Sequence, residues 1–361
     1  MHRFTHMIAG LLFASFLQGG QAATPHGVIL LYHHVSDETP ASTSVTPAQF
    51  SSHLDYLAEY GYRVWPLERL LDAVLRGTEA VPADVVAITF DDAYESVFTE
   101  ARPRLAERGW PYTVFVNTDA IDAGHSPYMD WAQIRTLHES GVAIENHSAA
   151  HGHMSRPAEG ESPNAWQSRV AGDVASARAR IADETGRAPT LFAYPYGEDS
   201  DALAEIVDQA HAYALAQRSG PVGVLSDPLS VPRFPMATGF ASLERLELAV
   251  RSRPLPVTST KETRDEDGRE GDIRAIELTL GMPSESQGFR AGQLNCFAAS
   301  GRRLDTAIEG GDDPLVFRVD VHGVGAPGRN KINCTAPAVD GSGDFFWYSR
   351  QWLVGSPGAG D

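Results

Sequence analysis

Between about Val28 and Val250 the chain alternates two textures. Short, β-branched apolar runs are separated by longer stretches whose apolar positions recur every three or four residues. Strands are predicted over Val28–Tyr32, Val85–Phe90, Tyr112–Val116, Val142–Glu145, Thr190–Tyr194 and Tyr213–Ala216. Helices are predicted over Pro47–Tyr60, Leu67–Arg76, Tyr94–Arg108, Trp131–Ser140, Ala165–Thr185, Asp201–His211 and Ser242–Arg251. Thr46 reads as an N-cap with Pro47 in the first helical position, and Gly61 and Gly141 fall just past helix ends. Such alternation predicts an α/β domain over 26–252, a parallel sheet covered by helices, open or closed as a barrel. In either form the chemistry belongs at the C-terminal ends of the strands.

The pattern then breaks. Arg253 to Asp272 holds two prolines and a polar, charged run without apolar period, and it reads as a solvated linker. Beyond it, Ile273–Leu280, Gln293–Ala298, Leu315–Val321, Lys331–Thr335 and Phe345–Tyr348 read as short strands between Gly-, Pro- and Asp-rich turns. They predict a small all-β, sandwich-like module over 273–355. Its Phe345, Phe346, Trp347, Tyr348 and Trp352 offer either stacking faces for a sugar or packed core rings.

Composition narrows the partners. A net charge of −18 argues against a nucleic-acid partner, which needs clustered Lys and Arg. His2 and Arg3 precede an apolar stretch from Met7 to about Phe16, and small residues follow to Ala23. Residues 1–23 therefore read as an export signal cut after Ala22 or Ala23, the other reading being an uncleaved anchor. Once it is cleaved no transmembrane span is expected, and the protein is expected to be periplasmic or secreted. The two cysteines, Cys296 and Cys334, are expected to form one disulfide in that oxidising setting. Oligomeric state has no signature in the sequence.

Candidate chemistry sits where strands end. The run to Phe90 delivers adjacent carboxylates, Asp91 and Asp92, and the run to Ile144 delivers His147 and His151. Asp92, His147 and His151 form a donor set for a catalytic divalent cation, Zn²⁺ before Co²⁺ or Ni²⁺, with positions left for water and substrate. Asp91 is then free to act as a general base, its other reading being a cap for the helix near Tyr94. Phe192–Gly197 predicts a tight turn, with Tyr196 either lining a substrate groove or packing as a loop aromatic. Arg233, between Pro232 and Pro235, either orients Asp91 or lies on the surface. Tyr32, His33 and His34 end the first strand; a histidine there would either protonate a leaving amine or shape the pocket, and Tyr32 and His34 are candidates to bind substrate. His153 is a weaker candidate for the same work.

These motifs resemble the polysaccharide deacetylases, the NodB-homology carbohydrate esterases. Thr89-Phe90-Asp91-Asp92 matches the family's first motif and His147-Ser148-Ala149-Ala150-His151 its second. Leu31-Tyr32-His33-His34-Val35 looks like the opening of the branch that includes poly-N-acetylglucosamine deacetylases. The resemblance spans about residues 26–250 and implies a distorted (β/α)7 barrel. It also implies Asp91 as base, the three metal ligands already chosen, and an acetylated polysaccharide as substrate. The expected reaction is N-deacetylation of N-acetylhexosamine units; O-acetyl esterase action and non-catalytic glycan binding or export are the alternatives. Ala193 stands where the third motif, Arg-x-Pro-Tyr, has arginine, so Arg233 is the candidate replacement. No Leu-x-His motif follows late in the barrel, which leaves the catalytic acid to His33 or His34.

Overall fold

A computed structural model of the protein describes residues 24–264, 273–281, 288–309, 314–325 and 327–354. Residues 1–23, read above as an export signal, lie outside the described residues. Among those described, no helix is long and apolar enough to cross a membrane.

Six parallel strands lie side by side in chain order: β1 (His26–Tyr32), β2 (Val85–Phe90), β3 (Thr113–Val116), β4 (Ala143–Asn146), β5 (Leu191–Ala193) and β6 (Tyr213–Leu215). Every residue of β2 is buried, as expected of a strand covered on both faces. A seventh segment closes the ring. Val231 bridges Leu215 in parallel, and β7 (Phe234–Pro235) pairs in parallel with Leu30 and Leu31 of β1. The result is a distorted (β/α)7 barrel. The closing strand escaped the sequence reading because it is two residues long and its prolines mask any alternation.

The helices follow the apolar periods. Thr46 caps Pro47–Glu59 through a reciprocal capping box with Gln49, and Asp130 does the same for Trp131–Glu139 with Gln133. The helix expected over Tyr94–Arg108 is a π segment, Val97–Ala101, running into Arg102–Glu107, with Pro103 at the junction. The helix expected to reach His211 stops at Val207.

Beneath the barrel rim, Glu145 of β4 is buried and accepts from Thr190 N and Leu191 N (2.8 Å each) and from Arg187 Nη1 (3.2 Å). Burial pushes its carboxyl up to about 7 despite these donors. The folded protein thus keeps a proton that the unfolded chain releases above the ordinary glutamate range. Folding stability should fall as pH rises from about 4.5 to about 7 and level off above. Glu145→Gln should flatten that fall. Thermal melts with the same slope over this window in both proteins would contradict it.

The C-terminal part is a sandwich of two four-stranded sheets. One contains Asn295–Ala298, Gly328–Pro337 and Phe345–Val354; the other contains Val257–Arg264, Ile273–Leu280, Thr306–Ile308 and Leu315–Asp320. Ile276, Leu278, Phe317 and Val319 pack from one sheet against Ile332, Ala336, Phe346 and Trp352 of the other. The disulfide Cys296–Cys334 joins directly paired residues of adjacent antiparallel strands.

The linker expected over 253–272 needs correction. Arg253–Pro254 pairs in parallel with Phe346–Trp347, and Val257–Arg264 is a full strand against Ile273–Leu280. That strand lies at a sheet edge with most side chains exposed, so backbone pairing and not apolar burial defines it. Residues 265–272 lie outside the described residues.

The sandwich is fastened to the barrel beside β7. Trp347 packs edge-on against Phe234 at 5.3 Å, Arg218 Nη1 donates to Ser349 O (2.9 Å), and Ser349 Oγ donates to Ser219 O. Phe346 and Trp352 are core rings and Trp347 is an interface ring, so packing takes up these three aromatics.

Candidate metal centre

The site forms at the C-terminal rim, where the backbone is contorted. Among the described residues, Asp92 (φ 72°), Ala93 (φ 60°), Ser148 (φ 68°), His151 (φ 52°) and Tyr196 (φ 56°) are the non-glycine residues in the left-handed region. All lie in the loops after β2, β4 and β5. Such conformations are costly and persist only where the surroundings enforce them, so their clustering points to function.

The enforcement is visible after β4. Asn146 Oδ1 accepts from Ser148 N (2.9 Å), Ser148 Oγ accepts from His151 N (3.0 Å), and Asp173 accepts from the amides of Ala149 (2.8 Å) and Ala150 (3.1 Å). This bends the loop so that both imidazoles face the end of β2. Nε2 of His147 lies 3.3 Å from Asp92 Oδ1, and Nε2 of His151 lies 3.1 Å from the same oxygen. One donor atom from each of the three residues falls within 4.8 Å of the others.

These donors fit a divalent cation. His147 Nδ1 donates to Ala193 O (2.8 Å), which in the neutral ring leaves a lone pair on Nε2. That lone pair faces Asp92 Oδ1, a buried oxygen with no well-formed hydrogen bond of its own. A carboxylate oxygen and imidazole lone pairs turned toward one point repel unless a cation lies among them. When the imidazoles instead carry protons, their hydrogen bonds and charge outweigh the burial that opposes charge on Asp92 and hold its carboxyl well below the usual range.

Asp91 is built differently. Its carboxylate is gripped by Arg233, Nη1 to Oδ1 at 2.7 Å and Nη2 to Oδ2 at 2.8 Å, and both residues are buried. Arg233 Nε also donates to Ala216 O (3.1 Å). Burial would push the Asp91 carboxyl up; the Arg233 charge and the nearby imidazoles outweigh it and hold it below the usual range. Arg233 thus lies against Asp91 and not on the surface, projected inward from the closing segment.

The remaining candidates separate. Tyr196 is 43% exposed, edge-on to His151 at 4.7 Å and stacked on His153 at 4.1 Å, so it stands on the open side of the site. His153 is anchored through Nδ1 to Glu198 (3.0 Å) and stacked on Tyr196. His33 contacts Gln217 Nε2 at 3.3 Å. His34 is buried and stacked on Tyr94 at 3.5 Å. Tyr32 is a correction. It has no exposed surface, bonds His53 Nδ1 through its hydroxyl (3.0 Å) and packs on Phe50, so it cannot line a groove. Its ring is committed to the first helix.

Sequence reasoning missed Tyr94, Gln217 and Glu198. Tyr94, two residues past Asp92, was legible by proximity. Gln217 lies just past β6, in a position that only barrel closure makes relevant.

With this geometry in view, residues 78–215 match the polysaccharide deacetylase family model. The first relatives are similar over part of their length. YxkH of Bacillus subtilis, which carries the name of a polysaccharide deacetylase, is 28% identical over 47% of this chain and 56% of its own. The poly-beta-1,6-N-acetyl-D-glucosamine N-deacetylase of Staphylococcus aureus is 21% identical over 56% of this chain and 71% of its own. The chain thus spans little more than half the length of the first of these relatives. Among solved structures, the Streptococcus pyogenes deacetylase PplD in complex with acetate superposes with a TM-score of 0.56 at 20% identity, covering 63% of this chain and 99% of that one. IcaB from Ammonifex degensii gives 0.52 at 25% identity, covering 60% and 95%.

Proposed function

We propose that the protein is an exported, metal-dependent hydrolase that removes N-acetyl groups from N-acetylhexosamine units of a polysaccharide. The observation that carries this reading is the division of labour between neighbouring aspartates. Asp92 turns toward two imidazoles while Arg233 holds Asp91. The similarity to relatives named as poly-N-acetylglucosamine deacetylases supports the choice of polymer.

Asp92, His147 and His151 would hold the cation. When bound, it supplies Lewis acidity that polarises the acetamide carbonyl and makes a water more acidic. Asp91 accepts the proton of the attacking water, and Arg233 keeps its carboxylate aimed and ionised. Tyr196 presents its ring to the sugar on the open side. His33 is the candidate to shape the pocket beside the leaving amine, which takes up the proton that Asp91 received from the water, since His34 is locked against Tyr94.

The test is acetate release from a small glycan panel, before and after chelation, with Zn²⁺, Co²⁺ or Ni²⁺ added back. Release from β-1,6-linked N-acetylglucosamine oligomers, lost on chelation and restored by metal, is expected. Release from acetylated xylan alone would replace this reading with O-acetyl esterase action. Tight glycan binding with no release at any metal loading would make the protein a binding module.

A further inference from the structure

The C-terminal sandwich reaches the catalytic rim. Arg329, at the exposed end of strand Gly328–Pro337, donates through Nη1 to Tyr196 O and to Gln217 Oε1, the latter at 3.2 Å. From the neighbouring strand, Gln351 Nε2 donates to Gly197 O and to Asp199 Oδ1, the latter at 2.7 Å. Two consecutive carbonyls of the Tyr196–Gly197 turn are therefore tied to residues more than 130 positions away. This is the turn in which Tyr196 is held at φ 56° and Gly197 at φ 65°. A Cβ at Gly197 would lie 2.2 Å from Gln217 Cβ, so the turn is pressed onto the segment that follows β6.

The Arg329 contact carries information beyond position. A guanidinium has only donors, so the Gln217 atom it meets is the carbonyl oxygen. The Gln217 amide nitrogen then faces His33 Nε2 at 3.3 Å, which must accept. His33 is thereby fixed with its proton on Nδ1.

We propose that Arg329 and Gln351 are positioning residues of the deacetylase site, and that the C-terminal sandwich is a working wall of that site. The family match ends at residue 215, so this wall lies outside the matched domain. The inference rests on the deacetylase reading for its kinetic consequence only.

The test uses the zinc-loaded full chain. Arg329→Met and Gln351→Leu should each lower kcat for acetate release by about 10- to 100-fold, with one zinc retained and the melting midpoint little changed. Arg329→Lys should recover part of the loss. Arg318→Ala, on the sheet remote from the barrel, should behave as the parent. Unchanged kcat in both Arg329→Met and Gln351→Leu overturns the proposal. A second readout is independent of turnover: nitrogen NMR of the His33 ring. The parent should show the Nδ1–H form and Arg329→Met a mixture. A parent ring protonated on Nε2 overturns the proposed relay. A parent that releases no acetate refutes the deacetylase reading, while the His33 spectrum still decides the latch.

Discussion

Asp91→Asn should lose about a hundred- to ten-thousandfold in kcat/KM for acetate release while still binding one cation per chain. The argument begins with lone pairs. Arg233 donates to both oxygens of Asp91, so this carboxylate is shaped and oriented by an arginine and not by a metal. Asp92 has no such partner and faces the two imidazoles, so it is the carboxylate proposed to take the cation. The amide of the variant keeps the size of the side chain and one acceptor for Arg233. It removes the basic oxygen that must receive the water's proton. Metal content by elemental analysis and acetate release on the same preparation check the claim. A variant that hydrolyses at the parental rate removes Asp91 from the mechanism, and one that loses its cation moves Asp91 into the ligand set.

Much of this was legible beforehand, for identifiable reasons. The strand ending at Phe90 and the loop from His147 to His151 announce themselves because the candidate carboxylates and imidazoles follow apolar runs that must be buried. The barrel strands were found because covered parallel strands read as unbroken apolar segments. What escaped is non-local. Arg233 could be nominated from flanking prolines, but only ring closure through Val231 and Phe234 brings it to Asp91. Tyr32 was misassigned because its strand-end position suggested the groove, whereas its ring turns to Phe50 and His53. Val257–Arg264 read as linker because an edge strand satisfies its backbone without burying side chains. Arg329 belongs to no local motif; its proposed role comes from how the sandwich meets the barrel.

Replacing Arg233 should damage both stability and activity, and the two losses should be separable. Arg233 and Asp91 are each almost wholly removed from solvent and bonded bidentately. Removing one partner of such a pair leaves an uncompensated buried charge, a loss of about 3–5 kcal/mol. Arg233→Met should therefore unfold at markedly lower denaturant, and its activity should fall with the disordered base. Removing both charges should behave otherwise, because desolvation then penalises neither residue. The double variant Asp91→Leu/Arg233→Met should regain much of the lost stability while staying inactive. Denaturant midpoints for the two single variants and the double variant give the coupling directly. Strictly additive losses would mean that the guanidinium and the carboxylate are held by their surroundings independently. Arg233 would then support the barrel's closing strand and not the base.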